Sequence, residues 1–304
     1  MERASPVKLD LVVPVYNEED VLPLFLRRLD DIFTPETLRS HGIERIRFRL
    51  VDDGSRDRSA QIVGARIASD ERFVLYRLSR NFGHPNALTA GLDHADGDVV
   101  AILDADLQDP PELILERLKR WREGFDVVYA QRRNRKENAL KRASYWAFYR
   151  LVSFLSELEV PLDSGDFCLI DRRVVDAMHA LPERLRFPRI LRAWVGFRQT
   201  GVVYDRPERQ AGQTKYSLSR LYRLATDGIA SSGIRLLRVA QLFSFTFAAL
   251  TVVLLFALVA MLHSYAEDRM LVLFLVSYIL IETGNFVVTA CLYILGAHVG
   301  RTYL

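Results

Sequence analysis

The stretch Val99 to Glu112, VVAILDADLQDPPE, decides how this chain is read. It begins as an apolar, β-branched run and breaks into two carboxylates one residue apart, Asp104 and Asp106. Residues i and i+2 of a strand point to the same side, so both acids face one place at a strand end. A hard divalent cation takes oxygen ligands, and Mg²⁺ commonly uses one or two carboxylates, leaving the rest of its shell to water and substrate phosphates. Asp104 and Asp106, with Ala105 between them and Gln108 as a neutral oxygen two residues on, are therefore candidate ligands for Mg²⁺ or Mn²⁺. Asp109, Pro110 and Pro111 read as the cap and first turn of a helix running to about Trp121. Taken alone, an Asp-x-Asp pair is equally a polar strand-to-helix turn.

The flanking sequence narrows the choice. LDLVVPVYNEED, Leu9 to Asp20, is a β-rich run that turns polar before an amphipathic helix from Val21 to about Phe33. RFRLVDDGSRDRS, from Arg47, again ends in paired acids, Asp52 and Asp53, followed by Gly54 and a helix-starting Ser59. Phe73 to Leu78 is a third strand candidate, and SRNFGHPNALTAGLDHA after it supplies a turn and a helix. Strand and helix thus alternate up to about residue 125, with acids recurring at strand C-terminal ends. Such alternation predicts a parallel α/β sheet with helices on both faces and a ligand crevice at those ends.

The motifs VVPVYNEE, VDDGSRDRS, NFGHPNALTAGL and DADLQDPPE, in this order, resemble the family 2 glycosyltransferases of the GT-A fold. The resemblance covers roughly the first 215 residues, and DLQDPPE with the later TKYS is similar to the polyprenyl-phosphate glycosyltransferases, including bacterial undecaprenyl-phosphate glucosyltransferases and dolichyl-phosphate mannose synthases. It implies a Rossmann-like, mixed-sheet GT-A domain and a nucleotide-sugar donor. Pro14, Tyr16, Glu18 and Asp53 match the nucleoside side, and Asp104, Ala105 and Asp106 the metal-diphosphate side.

Two basic segments suit an anionic acceptor. Gln131 to Arg150, QRRNRKENALKRASYWAFYR, interleaves Lys and Arg with Tyr145, Trp146, Phe148 and Tyr149, a pattern for an anionic interface or a solvated charged helix. The related synthases place acceptor-phosphate arginines here, which implicates Arg132 and Arg142, then Lys141 and Ser144. RPERQAGQTKYSLS, from Arg206, reads as a loop after the strand candidate GVVYDR. By resemblance Lys215 contacts phosphates there, with Arg209 and Gln213 as lesser candidates. DSGDFCLIDRRVVDAM, from Asp163, is similar to the family's acceptor-side turn and strand, where an acid can act as general base; Asp166 takes that position. A phosphate monoester has a second pKa near ~6 and is mostly a dianion at neutral pH, so an acceptor of this kind needs no base. Asp166 is then expected to orient sugar hydroxyls or basic side chains.

Length and hydropathy suggest a two-part protein of 304 residues. Charge is dense through Arg238, after which Val239 to Leu262 carries none and Met270 to Val299 carries one acid, Glu282. Each run can cross ~30 Å of hydrocarbon as a helix. The expected layout is a GT-A catalytic domain at 1–216, amphipathic juxtamembrane helices at 217–237 and a two-helix transmembrane hairpin within 238–304, spanning 239–262 and 270–299. MERASPVK offers no signal-peptide core, and the basic residues flanking the spans place both ends inside. The expected location is the inner membrane, multi-pass, with the catalytic domain on the cytoplasmic side. Glu282 is unusual for mid-span and reads as functional or as a packing contact; Cys168 and Cys291 are not expected to pair.

A net charge of +3, without a zinc-finger, RNA-binding or helix-turn-helix pattern, argues against nucleic acid. No G-x-G-x-x-G or P-loop follows a strand, and adjacent acids on one turn do not suit a glycosidase, whose acids flank the bond. A processive polysaccharide synthase would carry Gln-x-x-Arg-Trp. The reading is an inverting, metal-dependent hexosyltransferase moving a sugar, UDP-glucose favoured as donor, to undecaprenyl phosphate for cell-envelope glycosylation. GDP-mannose transfer of the dolichyl-phosphate mannose synthase type is the alternative, and a catalytically idle membrane scaffold is the alternative of another class. Expected partners are the donor, the polyprenyl phosphate, membrane lipid, further copies of the chain and a separate flippase.

Overall fold

The computed structural model describes residues 6–132, 164–182 and 186–204, with scattered helical positions between 274 and 299. The chain divides into two compact units, Met1–Lys141 with Val160–Lys215, and Arg142–Glu159 with Tyr216–Leu304. All the strands described belong to the first.

That unit is built on a seven-stranded sheet of order β3-β2-β1-β4-β6-β5-β7. Its strands are β1 (Val7–Val15), β2 (Ile43–Asp52), β3 (Phe73–Arg77), β4 (Val99–Ile102), β5 (Val127–Arg132), β6 (Ser164–Asp171) and β7 (Gln199–Tyr204). β1, β2, β3 and β4 are mutually parallel. β6 runs antiparallel to both β4 and β5, while β7 pairs with β5 in parallel. The helices are α1 (Leu22–Ile32), α2 (Pro35–Ser40), α3 (Ser59–Ile67), α4 (His84–Asp93), α5 (Leu113–Arg122), α6 (Arg172–His179) and α7 (Pro188–Trp194).

Period-two alternation in β1 shows how one strand serves two layers. Leu9, Leu11, Val13 and Val15 pack with Leu22, Phe25 and Leu29 of α1 and with Ile114 and Leu118 of α5. Val12 faces the other way, among Leu88 and Leu92 of α4 and Val174 and Met178 of α6. A strand buried on both faces is nearly all apolar, as VKLDLVVPV is. Its one buried charge, Asp10, is held by Arg49 Nε at 2.7 Å and by the N–H groups of Asp96 and Gly97 at 2.7 and 3.0 Å, which fixes the turn leading into β4. On the second face Gly91 lets α4 lie directly on β1: a Cβ there would sit 2.3 Å from Val12 Cγ1.

The chain crosses from β1 to β2 to β3 on one side and returns through α4 to place β4 on the other side of β1. The order reverses between β1 and β4, and in such sheets the crevice at the strand C-terminal ends is the ligand site. The parallel half agrees with the alternation in the sequence, and the mixed half agrees with the GT-A resemblance. Boundaries moved slightly. β2 begins at Ile43, α5 begins at Leu113 with Glu112 rather than Asp109 at its cap, and α2, capped by the Thr34 side chain on Thr37 N–H, had no reading in the sequence.

The second half of the expected architecture is corrected. Among the described residues no helix is long and apolar enough to cross a membrane, so the fold described is a sheet-and-helix α/β domain without the transmembrane hairpin. Residues 239–262 lie outside the described residues, as do most of 270–299, Glu282 included. An uncharged run dictates that its side chains leave water; a span further requires one unbroken helix of about 20 residues, and no described segment supplies it. The multi-pass inner-membrane location rested on that hairpin and falls with it. The amphipathic helices expected at 217–237 also lie outside the described residues. Both cysteines are free, Cys168 in the core.

Candidate active site

The loops after β1 and β2 are stitched together. Asn17, with a left-handed φ of 53°, donates its N–H to Ser55 Oγ at 3.0 Å, and its side-chain oxygen accepts from Arg56 N–H at 2.8 Å. The Glu18 N–H donates to Ser59 Oγ at 2.9 Å, while the Glu18 carbonyl accepts from Val21 and Leu22 at the start of α1. Asp57 accepts from Glu19 N–H and Ser59 N–H; these hydrogen bonds outweigh burial and hold its carboxyl below the usual range. Tyr16 and Glu18 thus stand half-buried at the mouth of β1 on a fixed frame. Pro14 lies beyond the last β1–β4 pair, opposite Val51 of β2.

Asp53, 3% exposed, has both oxygens on backbone: Oδ1 accepts from Phe82 N–H at 2.7 Å and Oδ2 from Gly83 N–H at 2.9 Å. Burial pushes its pKa up, opposed by those two hydrogen bonds. Its carboxylate therefore sets the entry to α4 and places His84, the helix's first residue. Gly54 is obligatory beside it, since at φ +70° a Cβ would meet the Arg80 carbonyl carbon at 2.5 Å.

His84 joins two acids. Its Nε2 lies 2.8 Å from Asp104 Oδ1 and its Nδ1 3.9 Å from Asp166 Oδ2. Burial lowers the imidazole pKa, but the hydrogen bond and charge of Asp104 and the charge of Asp166 prevail and raise it to about 9. The ring is therefore protonated at neutral pH, and Nε2–H donates to Asp104. Asp166 reaches this end of the sheet because the antiparallel register pairs Cys168 with Ile102. It is gripped by Arg189 of α7, whose Nε and Nη2 donate to Oδ1 and Oδ2 at 3.1 and 3.0 Å, a bidentate fork suited to a carboxylate.

The acid loop carries its own structure. Asp106 Oδ1 accepts from Gln108 N–H at 3.0 Å, and Leu107 between them has φ 58°. Asp109, 2% exposed, accepts the Tyr204 hydroxyl. Beneath it the fully buried Arg117 guanidinium stacks 3.5 Å from the Phe167 ring centre. Burial draws the pKa of Arg117 down to about 10, against the opposing influence of Cys168, Tyr204, Asp109 and Glu116.

The crevice thus brings together Pro14, Tyr16, Glu18, Asp53, Asp104, Ala105, Asp106, Gln108 and Asp166 at one end of the sheet. Arg132 ends β5 opposite Tyr204 of β7. Arg142 and Lys215, with Lys141, Ser144, Arg209 and Gln213, lie outside the described residues. Arg189 is the crevice residue the sequence did not disclose, and His84 was visible in its loop but not as the link between two acids. The donor set fits a hard divalent ion. Asp104 and Asp106 are half-buried oxygen donors on one loop, and among the described residues no group of three or more His, Cys, Asp or Glu is placed to enclose a metal. An ion here would take one or two carboxylates and look to water and phosphate for the rest.

Comparison with known proteins bears on this crevice. A family model described as Glycosyl transferase family 2 matches residues 10–178, which take in the acid loop and Asp166. The glycosyltransferase sll0501 of Synechocystis is 39% identical over 305 residues, 98% of this chain and 91% of its own. The bactoprenol glucosyl transferase of Shigella phage SfX is 35% identical over 306 residues, 98% of this chain and 95% of its own. Among solved structures, glucosyl-3-phosphoglycerate synthase from Mycobacterium tuberculosis, in complex with Mg²⁺ and UDP, aligns at a TM-score of 0.50 and 16% identity over 74% of this chain and 77% of its own, a likeness of fold. By the family match and these full-length relatives, the chain belongs to glycosyl transferase family 2.

Proposed function

We propose that this chain transfers a hexose, glucose first, from a nucleoside diphosphate sugar to a polyprenyl phosphate with inversion at the anomeric carbon. The observation that carries the reading is the acid pair Asp104 and Asp106 at the β1/β4 reversal of the sheet, in a chain similar along nearly its whole length to a bactoprenol glucosyl transferase. Tyr16 and Glu18, on their stitched frame, would meet the nucleoside; Asp53 serves the same side by fixing the loop that delivers His84. Asp104 and Asp106, with Gln108, would hold Mg²⁺ or Mn²⁺, which when bound neutralises charge on a departing diphosphate.

The acceptor is its own nucleophile. A polyprenyl phosphate is mostly dianionic at neutral pH, and its oxygen attacks the anomeric carbon opposite the diphosphate, so an α-linked donor yields a β-linked lipid phosphate sugar. Asp166 has both oxygens engaged by Arg189, which suits orienting a sugar hydroxyl or a basic group better than abstracting a proton. Arg132, Arg142 and Lys215 are proposed to steer the acceptor phosphate. Positioning and electrostatics supply most of the rate gain.

The test is donor profiling. Purified full-length protein is offered UDP-glucose, UDP-N-acetylglucosamine and GDP-mannose with detergent-dispersed undecaprenyl phosphate, scoring an acid-labile lipid-linked sugar. UDP-glucose is expected to give it fastest. Preference for GDP-mannose would move the reading to the mannose-synthase type, and no product with any donor would favour an idle scaffold.

A further inference from the structure

We infer that the Asp109–Tyr204 hydrogen bond is a latch that sets the geometry of the acid loop, with Tyr204 as a positioning residue for the cation site; this rests on the reading that Asp104 and Asp106 hold the donor's divalent ion. Asp109 is 95 residues from Tyr204 in sequence, yet the tyrosine hydroxyl donates to its Oδ1 in the interior. Tyr204 is the last residue of β7 and packs edge-on to Phe167 of β6, ring centres 6.1 Å apart at 86°. The sheet therefore holds the hydroxyl in place, and the hydroxyl holds Asp109.

The surroundings make this more than a core contact. Burying a carboxylate and a guanidinium is costly unless they are satisfied, and all three nitrogens of Arg117 are buried without a hydrogen-bond partner. A guanidinium kept here, stacked on Phe167 at 3.5 Å, balances the charge of Asp109 without a directional bond to it. The Tyr204 hydroxyl supplies a directional bond. What needs direction is the turn just upstream. Leu107, a non-glycine residue at φ 58°, occupies a region that L side chains rarely adopt and that persists where the surroundings over-determine it, commonly at functional sites. The turn is closed on one side by Asp106 on Gln108 N–H and follows β4 on the other. Asp109 is its downstream anchor, so releasing Asp109 lets Leu107 relax and the two acids change their relation.

The experiment measures Mn²⁺ binding by electron paramagnetic resonance on the full chain in the presence of UDP, with thermal melting alongside. Tyr204→Phe keeps the ring and removes the hydroxyl. Its Mn²⁺ affinity is expected to fall about tenfold, the scale of one hydrogen bond to a charged group, in a protein that stays folded with a melting temperature lowered by the loss of that buried bond. Adding Leu107→Gly, which accepts a positive φ without an anchor, is expected to recover much of that loss. Unchanged Mn²⁺ affinity in a folded Tyr204→Phe protein overturns the latch. Amide hydrogen exchange of the wild-type chain is a second measurement that needs no metal and no variant. The latch requires the Gln108 N–H, which donates to Asp106, to exchange well below the rate of an exposed loop, and exchange as fast as an exposed loop overturns it. If the wild-type chain binds no Mn²⁺ with UDP, the cation reading fails while the exchange measurement still decides the latch.

Discussion

Arg189 grips Asp166 with a two-pronged fork, yet the pair is partly exposed, at 41% and 23% of the side chains. Pairs of this kind contribute at most about 1 kcal/mol to stability, so its worth lies in orientation. Arg189→Met is expected to shift unfolding free energy by no more than that amount, while kcat for sugar transfer falls at least about tenfold and KM for the donor changes little, as misplacement of a positioning group predicts. Denaturant titration and steady-state kinetics on the same preparation check both halves. A loss of stability proportionate to the loss of rate would make the arginine structural. At this scale the sequence was legible where spacing carries meaning. Asp104 and Asp106 stood out by their spacing, although β4 ends at Ile102 and both lie in the loop beyond it rather than on the strand, and Asp52 and Asp53 announce a strand end. It was not legible where function comes from distance. Arg189 lies 23 positions from Asp166 on a separate helix, and Asp109, which by local grammar caps α5, instead answers to Tyr204. The partners of Asp53 were not legible either, because its oxygens meet the backbone N–H groups of Phe82 and Gly83, which no side-chain pattern reveals.

Among the elements, α4 matters most, because its first residue is His84 and its seat on β1 fixes where that residue stands. The seat depends on Gly91, where a Cβ would lie 2.3 Å from Val12 and 3.1 Å from Val51. Gly91→Ala is expected to destabilise the domain by about 1–3 kcal/mol, the range for overpacking a filled core, despite the better helix propensity of alanine. Chemical denaturation checks it, and a stabilised Gly91→Ala protein would contradict the packing described. The strand-helix units up to residue 125 were readable because each carries its own period and its own breakers. The antiparallel placement of β6 between β4 and β5 was not, since alternation of strand and helix says nothing of a strand that enters from a long intervening segment and pairs out of order. Only similarity to GT-A proteins anticipated a mixed sheet. A network of Arg66, Arg72, Asp30 and Asp70 ties α1, α3 and the start of β3.

For the molecule as a whole, the reversal of strand order between β1 and β4 explains why residues from widely separated stretches meet. Three parallel strand ends, those of β1, β2 and β4, supply the stitched loop frame and the acid loop, α4 brings His84, and the antiparallel β6 returns Asp166 to the same edge. The long apolar runs of the C-terminal third led to an expected transmembrane hairpin, and that expectation is corrected: hydropathy records a need for burial, and among the described residues no helix is long and apolar enough to cross a membrane. The acid pair is proposed to hold the cation that carries the sugar donor in transfer to a lipid phosphate. That role is tested most directly by lipid-linked glucose formation from UDP-glucose and undecaprenyl phosphate, comparing wild-type protein with Asp106→Asn, each with chelator and with Mn²⁺ restored. Wild-type transfer is expected to be lost on chelation and regained with Mn²⁺, and a folded Asp106→Asn protein to transfer at least about a hundredfold more slowly. Undiminished transfer by Asp106→Asn, or by the chelated wild type, would contradict it.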